Sequence, residues 1–344
     1  MILLIKKFFK FIFRLALILV VLGVIVLVAF NWPVRSKNDQ MEFHVSFSDV
    51  YAESLGLDWK KTYQAILDDL EPQKIRVAAY WNQVEKSPGQ YDFSRVDWQI
   101  EEAQKRGVKV VLAFGVKTPR WPECFIPQFY EKDKVLRESA LLEYEKVLVE
   151  RYKNRENIIM WQVENEPFLP FFGECPEGAV DGDLVDKEIE LVKKIDNSRP
   201  VMVTDSGELS LWYQAAKRGD VFGTTLYRII HKEPFGYVKY PLGPSFFRIK
   251  GLFIKIFAKQ NNIIIAELQA EPWAAGWIPH VPVEEQYKSM SPEKFNQIID
   301  YAQKTKFQES YLWGAEWWYW LKETQNNSQM WDEAKRVIHS NGNN

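Results

Sequence analysis

From residue 42 onward the chain alternates between short runs of apolar and β-branched residues and longer stretches whose apolar positions recur every three or four residues. Strands buried on both faces read as continuous apolar runs and crossover helices as amphipathic ones, so the alternation predicts parallel strands joined by helices, an α/β fold. Eight runs qualify as strands: residues 43–47, 75–79, 109–114, 158–163, 201–204, 221–226, 263–266 and 311–313. Helical periodicity is clearest over residues 97–106, 137–153 and 292–304; Gly107 stops the first, and Ser291 opens the last as N-cap with Pro292 at its first position. An open doubly wound sheet shares this local pattern, but eight units in one cadence of about 40 residues favour closure into a (β/α)8 TIM barrel.

The first 32 residues follow another rule. Lys6, Lys7, Lys10 and Arg14 precede an unbroken apolar run from Leu15 to Phe30, which ends in Asn31, Trp32 and Pro33. Sixteen helical residues cover only about 24 Å, so Phe11 to Phe13 must help span a hydrocarbon core roughly 30 Å thick, with Arg14 snorkelling. Four basic residues before the run against Arg35 and Lys37 after it predict a cytoplasmic N-terminus and an extracytoplasmic domain. A small-x-small cleavage site is missing near Phe30, and no cysteine follows the run to accept lipid, which favours an uncleaved anchor over a signal peptide. Residues 33–41 are polar and aperiodic and read as a tether.

Composition narrows the chemistry. Charge is nearly balanced at net −2, which argues against nucleic acid as a partner, and no obligate protein partner is evident. His44, His231, His280 and His339 lack metal-ligand spacing, and no Gly-rich loop opens a helix, so neither a metal nor a nucleotide cofactor is expected. The two cysteines, Cys124 and Cys175, fall in neighbouring rim loops, where an extracytoplasmic disulfide is possible. Tryptophan is abundant, at 14 residues; some of these belong to the core, and others are expected to face a ligand.

In such barrels the reacting groups lie where the strands stop. The fourth run ends in Glu164, Asn165 and Glu166 before Pro167, and the seventh ends in Glu267. Two strand-end carboxylates across one barrel can flank a glycosidic bond, one protonating the leaving oxygen while the other attacks the anomeric carbon. Glu164 shares strand parity with Glu166, and Glu271 on the following loop rivals Glu267; the strand ends favour Glu166 and Glu267.

The run Trp161-Gln-Val-Glu-Asn-Glu-Pro167 resembles the Asn-Glu-Pro signature of the clan A glycoside hydrolases, and Ile75-Arg-Val-Ala-Ala-Tyr-Trp-Asn-Gln-Val-Glu-Lys-Ser-Pro-Gly-Gln-Tyr-Asp92 is similar to the second-strand segment of cellulase-like and beta-galactosidase-like members. The resemblance implies a retaining enzyme with Glu166 as acid/base, Glu267 as nucleophile and Asn165 on the sugar 2-hydroxyl. It also implies that Arg76 and Tyr227 donate to the nucleophile, and that Trp313 is the platform under the reacting sugar. Arg76 is in any case the best candidate for an anion-holding donor, its alternative being a structural ion pair; for Tyr227 the alternative is a rim aromatic.

Pyranose rings present apolar C–H faces and hydroxyls together, so Trp81, Trp121 and Trp273 are candidate further platforms, with Asn82, Glu271 and Glu316 as polar contacts. The long loops over 228–244 and 271–285 would wall one end of a cleft or line a longer groove, and the groove is favoured. The domain organisation expected is therefore a basic stub and anchor over residues 1–32, with membrane contact through residues 11–32, a tether over 33–41, and a glycosidase barrel over 42–344 acting on an extracytoplasmic, β-linked carbohydrate. Transglycosylation with the same carboxylates and a catalytically inactive glycan receptor are the alternatives.

Overall fold

The computed structural model describes residues 2–38 and 40–340. Eight parallel strands close into a barrel in sequential order, and we number them β1 (Glu42–Ser46), β2 (Lys74–Ala78), β3 (Lys109–Phe114), β4 (Ile158–Val163), β5 (Val201–Asp205), β6 (Val221–Leu226), β7 (Ile263–Gln269) and β8 (Glu309–Trp313). Closure is made by β1, whose Glu42 to Val45 pair with Glu309 to Leu312 of β8 while Val45 and Ser46 pair with Ile75 and Arg76 of β2. Every strand predicted from the apolar runs is present, and three have the predicted ends.

Alternation along each strand divides two cores. In β3, Val110, Leu112 and Phe114 face the helical layer, whereas Val111 joins Met160, Met202, Val221, Ile264, Ala266 and Tyr311 inside the barrel. The interior is tight at Gly223, where an added Cβ would lie 2.8 Å from both Ala266 Cβ and Thr204 Cγ2. Only a hydrogen at that position lets β5, β6 and β7 approach so closely.

The helix containing the 97–106 pattern is Ser94–Lys105, the next is Lys134–Tyr152, and the third is Pro292–Thr305. The second begins three residues earlier than its apolar periodicity because the Asp133 carboxylate accepts Leu136 N–H at 3.0 Å and so fixes the start. The loop expected over 228–244 contains a hairpin, Ile229–Lys232 paired antiparallel with Gly236–Lys239.

The N-terminal helix runs Ile2–Phe30, and Lys7–Phe30 is, among the described residues, one helix long and apolar enough to cross a membrane, with a mean hydropathy of 3.1 and no part buried. Its end touches the barrel: the Phe30 and Phe246 rings meet edge to face at 5.0 Å, Asn31 Nδ2 donates to Pro241 O, and Ser245 Oγ donates to Trp32 O at 2.8 Å. The segment read as a tether is fastened to the barrel. Lys37 pairs with Asp300, Asn38 donates to Gln303 O and Phe307 O, and Met41 is fully buried in the core. Polarity suggests slack there, but Asn38 satisfies carbonyls on the barrel flank and Lys37 meets a carboxylate. Asp39 lies outside the described residues.

Candidate active site

The C-terminal ends of the strands open into a cleft of about 720 Å³, a size suited to a small organic ligand or part of a larger one. Glu166, Glu267, Tyr227, Trp313, Trp121, Glu271 and Trp273 line it, as do Glu123 and Arg120.

β4 ends in an unusual turn. Glu164 and Glu166 both have positive φ, 58° and 47°, on either side of Asn165. A non-glycine residue held there costs of order 1–3 kcal/mol, so the surrounding contacts must hold it. They do so at both carboxyls. Glu164 accepts Val116 N–H at 2.7 Å and Lys117 N–H at 2.6 Å, and it fits because Gly115 lacks a Cβ that would stand 2.7 Å from its carboxyl carbon. Its carboxylate therefore faces away from the cleft. Glu166 instead points in, with Thr225 Oγ1 donating to Oε1 at 3.1 Å and its own N–H donating to Thr204 Oγ1 at 2.9 Å. Burial, the Glu267 charge and the Glu123 charge push the Glu166 carboxyl well above the ordinary carboxylate range.

Glu267 owes its direction to an irregularity in β7. Ile265 pairs with Thr224 of β6 but Glu267 already pairs with Thr225, so one extra residue is accommodated at Ala266. Ala266 faces the barrel interior and Leu268 the helical layer. The bulge lets Glu267, adjacent to an inward residue, also point in. Two donors meet it there: Arg76 Nη1 at 3.2 Å from Oε1 and the Tyr227 hydroxyl at 3.0 Å from Oε2.

Arg76, 1 % exposed, joins the two strand ends. Its Nε donates to Gln162 Oε1 at 2.7 Å and its Nη2 to Asn165 Oδ1 at 2.9 Å. Asn165 Oδ1 also accepts from Gln162 Nε2 and Thr204 Oγ1, so its amide is oriented with Nδ2 directed at Glu123 Oε2, 3.2 Å away. Burial and the nearby Glu267 charge raise the Glu123 carboxyl to about 8.

The Trp313 ring stands at the end of β8 with the Arg120 guanidinium 4.0 Å from its centroid; Tyr51 lies 3.9 Å from the same guanidinium. Arg120 is held by Glu271 and by Glu316, the latter at 2.8 Å. Trp121, Phe172, Trp273 and Tyr227 form a chain of ring contacts across the rim, with centroids 6.2, 5.9 and 5.5 Å apart in turn. Cys124 and Cys175 are disulfide-bonded and tie the loop after β3 to the loop after β4.

Three expected sugar contacts are placed elsewhere. Trp81 is fully buried, stacked between Tyr130 and Tyr144, with Nε1 donating to Glu85 at 2.6 Å. Asn82 follows it on the one-turn helix Trp81–Val84 and is bound by its N–H to Phe125 O, outside the cleft lining. That short helix carries the Trp81 side chain into the helical layer, a turn that strand periodicity does not signal. Glu316 is fully buried behind the platform and reaches the cleft only through Arg120. Conversely, Arg120, Glu123 and Phe172 were not expected in the site. The signal available was position alone: all three lie in rim loops near the two cysteines.

Behind Glu164 sits a carboxyl cluster. Glu188, on the helix Gly182–Ile195, and Glu145, on Lys134–Tyr152, are fully buried against it; burial raises all three, and the charges of neighbouring carboxyls raise Glu145 and Glu188 further. Carboxyls in contact must share protons. Their folded values exceed the unfolded ones, so the folded state holds extra protons, and stability is present at acid pH and lost as pH rises from about 4.5 to about 8. Each pH unit of raised affinity is worth about 1.4 kcal/mol per proton. Glu188→Gln, which supplies an amide donor, should flatten the fall of the melting temperature across that range; an unchanged slope would show that the cluster carries no such linkage.

At the opposite end of the barrel, Glu42, His44 and Glu309 approach within a possible ligand distance of one another. The Lys74 ammonium already occupies the position of a cation there, 3.0 Å from Glu42 and 2.9 Å from Glu309.

Comparison with known proteins agrees with the barrel. The chain is 28% identical over 127 residues to beta-galactosidase BgaA of Clostridium cellulovorans, a match covering 31% of this chain and 19% of that one. It is 25% identical over 123 residues to a probable mannan endo-1,4-beta-mannosidase A of Aspergillus niger, covering 33% and 30%. The matches thus span 19% and 30% of the length of those curated relatives. Among solved structures, a beta-galactosidase from the haloarchaeon Halorubrum lacusprofundi superposes with a TM-score of 0.58 at 14% identity, over 87% of this chain and 58% of that one. The profile described as glycosyl hydrolases family 2, TIM barrel domain, matches residues 97–276, more than half of the chain, so the chain belongs to that family.

Proposed function

We propose that the protein hydrolyses β-linked glycosides with retention of anomeric configuration, Glu166 serving as acid/base and Glu267 as nucleophile. The observation that carries this reading is the contrast between two carboxyls facing one cleft: Glu166 pushed up by burial and by the Glu267 charge, and Glu267 met by Arg76 and Tyr227 donors. Glu166 gives its proton to the glycosidic oxygen as Glu267 bonds to the anomeric carbon and the leaving group departs. Forming that ester removes the Glu267 charge, which lowers the proton affinity of Glu166 and keeps it an unprotonated carboxylate. It then takes a proton from water as the water oxygen bonds to the anomeric carbon and the bond to Glu267 breaks, which leaves Glu166 protonated for the next cycle. Asn165, with its amide oriented by Arg76 and Glu123, is the contact for a sugar hydroxyl; Trp313, Trp121 and Trp273 offer ring faces, and Glu271 a polar edge.

The relatives named for β-galactosides and β-mannans support β-linked hexosides as the substrate class. We further propose that residues 1–32 hold the enzyme in a membrane, N-terminus inside, and that the barrel from about residue 42 acts on extracytoplasmic glycan. Support comes from the 24-residue apolar helix, about 36 Å long, and from the basic residues preceding its apolar run. The test is the full chain in nanodiscs, incubated with aryl β-glycosides and β-linked oligosaccharides, with early products followed by proton NMR. A β-anomer released first is expected. An α-anomer overturns retention, products longer than the substrate indicate transglycosylation, and a bound but unaltered ligand indicates a receptor.

A further inference from the structure

The helix after β6, Pro244–Phe257, buries Phe246, Phe247 and Ile254 against the barrel. Its outer side is not polar. Ile249, Leu252, Phe253, Ile256 and Phe257 recur at helical spacing and are all exposed, Leu252, Ile256 and Phe257 by 57%, 59% and 62%. Such a stripe on the solvent side of a barrel helix needs a cover.

Three observations identify the cover. The first is the exit of the N-terminal helix, which is pinned to the start of this same helix by the Phe30–Phe246 ring contact and by the Ser245 to Trp32 hydrogen bond. Phe246 and Phe257 are eleven residues apart, so the whole stripe lies within roughly 16 Å of that exit along the helix. The second is charge. The exposed charges of helix Pro244–Phe257 are Arg248 and Lys255, with no acidic residue on the helix and Lys259 just beyond it. Basic residues flanking an apolar stripe suit anionic headgroups above acyl chains. The third is Trp32, 65% exposed at the exit, a residue type that favours the headgroup level.

We infer that helix Pro244–Phe257 lies on the bilayer surface, with Leu252, Phe253, Ile256 and Phe257 inserted at the headgroup boundary, so that the barrel is docked on the membrane rather than suspended from it. The inference rests on the membrane reading of residues 1–32. It also places the cleft. Lys250 on this helix donates to Gly207 O and to Ser210 O, and the intervening Leu209 lines the cleft, so that wall is held on the docked flank.

The two cysteines are disulfide-bonded, so single introduced cysteines accept a nitroxide label selectively. The full chain, labelled in turn at Leu252→Cys, Ile256→Cys, Leu22→Cys and Val135→Cys, is placed in nanodiscs of mixed phosphatidylcholine and phosphatidylglycerol. Collision with oxygen and with a water-soluble nickel chelate is then read by electron paramagnetic resonance. Val135, 80% exposed on the helix Lys134–Tyr152, is the aqueous reference. The expected oxygen-to-nickel accessibility ratio at Leu252→Cys and Ile256→Cys is several-fold above that at Val135→Cys, alongside a lipid signature at Leu22→Cys. A lipid signature at Leu22→Cys with aqueous values at 252 and 256 overturns the docking and leaves the anchor standing. Aqueous values at Leu22→Cys overturn both. Exclusion of both reagents from 252 and 256 with dipolar broadening between labels would mean that a second copy covers the stripe, which also overturns the proposal.

Discussion

Glu267→Ala should yield a folded barrel whose turnover of β-glycosides is lower by roughly 10⁴-fold or more, because loss of the proposed nucleophile closes the covalent route entirely. The alanine removes a charge whose partners, Arg76 and Tyr227, keep other hydrogen-bonding neighbours or cleft solvent, so circular dichroism should change little. Glu166→Ala should behave differently. With the acid/base gone, substrates that need protonation of the leaving oxygen should lose about 10²–10⁴-fold, while aryl glycosides with acidic leaving groups should lose much less in the first step. In the parent enzyme, activity should fall on the alkaline side as Glu166 gives up the proton that burial and the Glu267 charge help it hold. Steady-state rates on a leaving-group series test all of this. Turnover equal to the parent in either variant would refute the assigned roles.

Arg76→Met should be the most damaging substitution to the structure of the site. Arg76 is buried and bonded at once to Gln162, Asn165 and Glu267, and removing one member of a buried ion pair typically costs about 3–5 kcal/mol. A melting point lower by roughly 5–8 °C is expected for a chain of this size. Arg76→Lys should recover only part of the stability, since a point-like ammonium cannot serve three separated acceptors. Activity should drop in both variants, because the donor to Glu267 and the orientation of Asn165 are lost together. Scanning calorimetry with parallel kinetics would decide it; a variant that melts normally and retains full activity would remove Arg76 from the mechanism.

The barrel was legible because its strands are rich in apolar and β-branched residues and alternate with amphipathic helices, and because the fourth and seventh runs stop at carboxylates. Glu166 and Glu267 could therefore be singled out by position as strand-end carboxylates. What periodicity does not carry is the direction taken after a strand ends. Trp81 and Trp273 both follow strand ends closely, yet a single helical turn buries the first, while the second stays on the rim beside Tyr227. Arg120 and Glu123 sit in a loop with positive φ at both residues, where no repeat exists to be read. Glu316 was placed in the right neighbourhood but on the wrong side of Arg120, since burial behind a cation has no local signature.

The extra residue at Ala266 has a consequence for how the site is encoded. Glu267 faces the cleft because of how many residues precede it in β7, not because of what they are. The position of Glu267 is therefore written as a length. Exchanges among small apolar side chains at Ala266 leave that length untouched, whereas a strand transplanted into another barrel without its surplus residue would carry the glutamate and aim it into the helical layer.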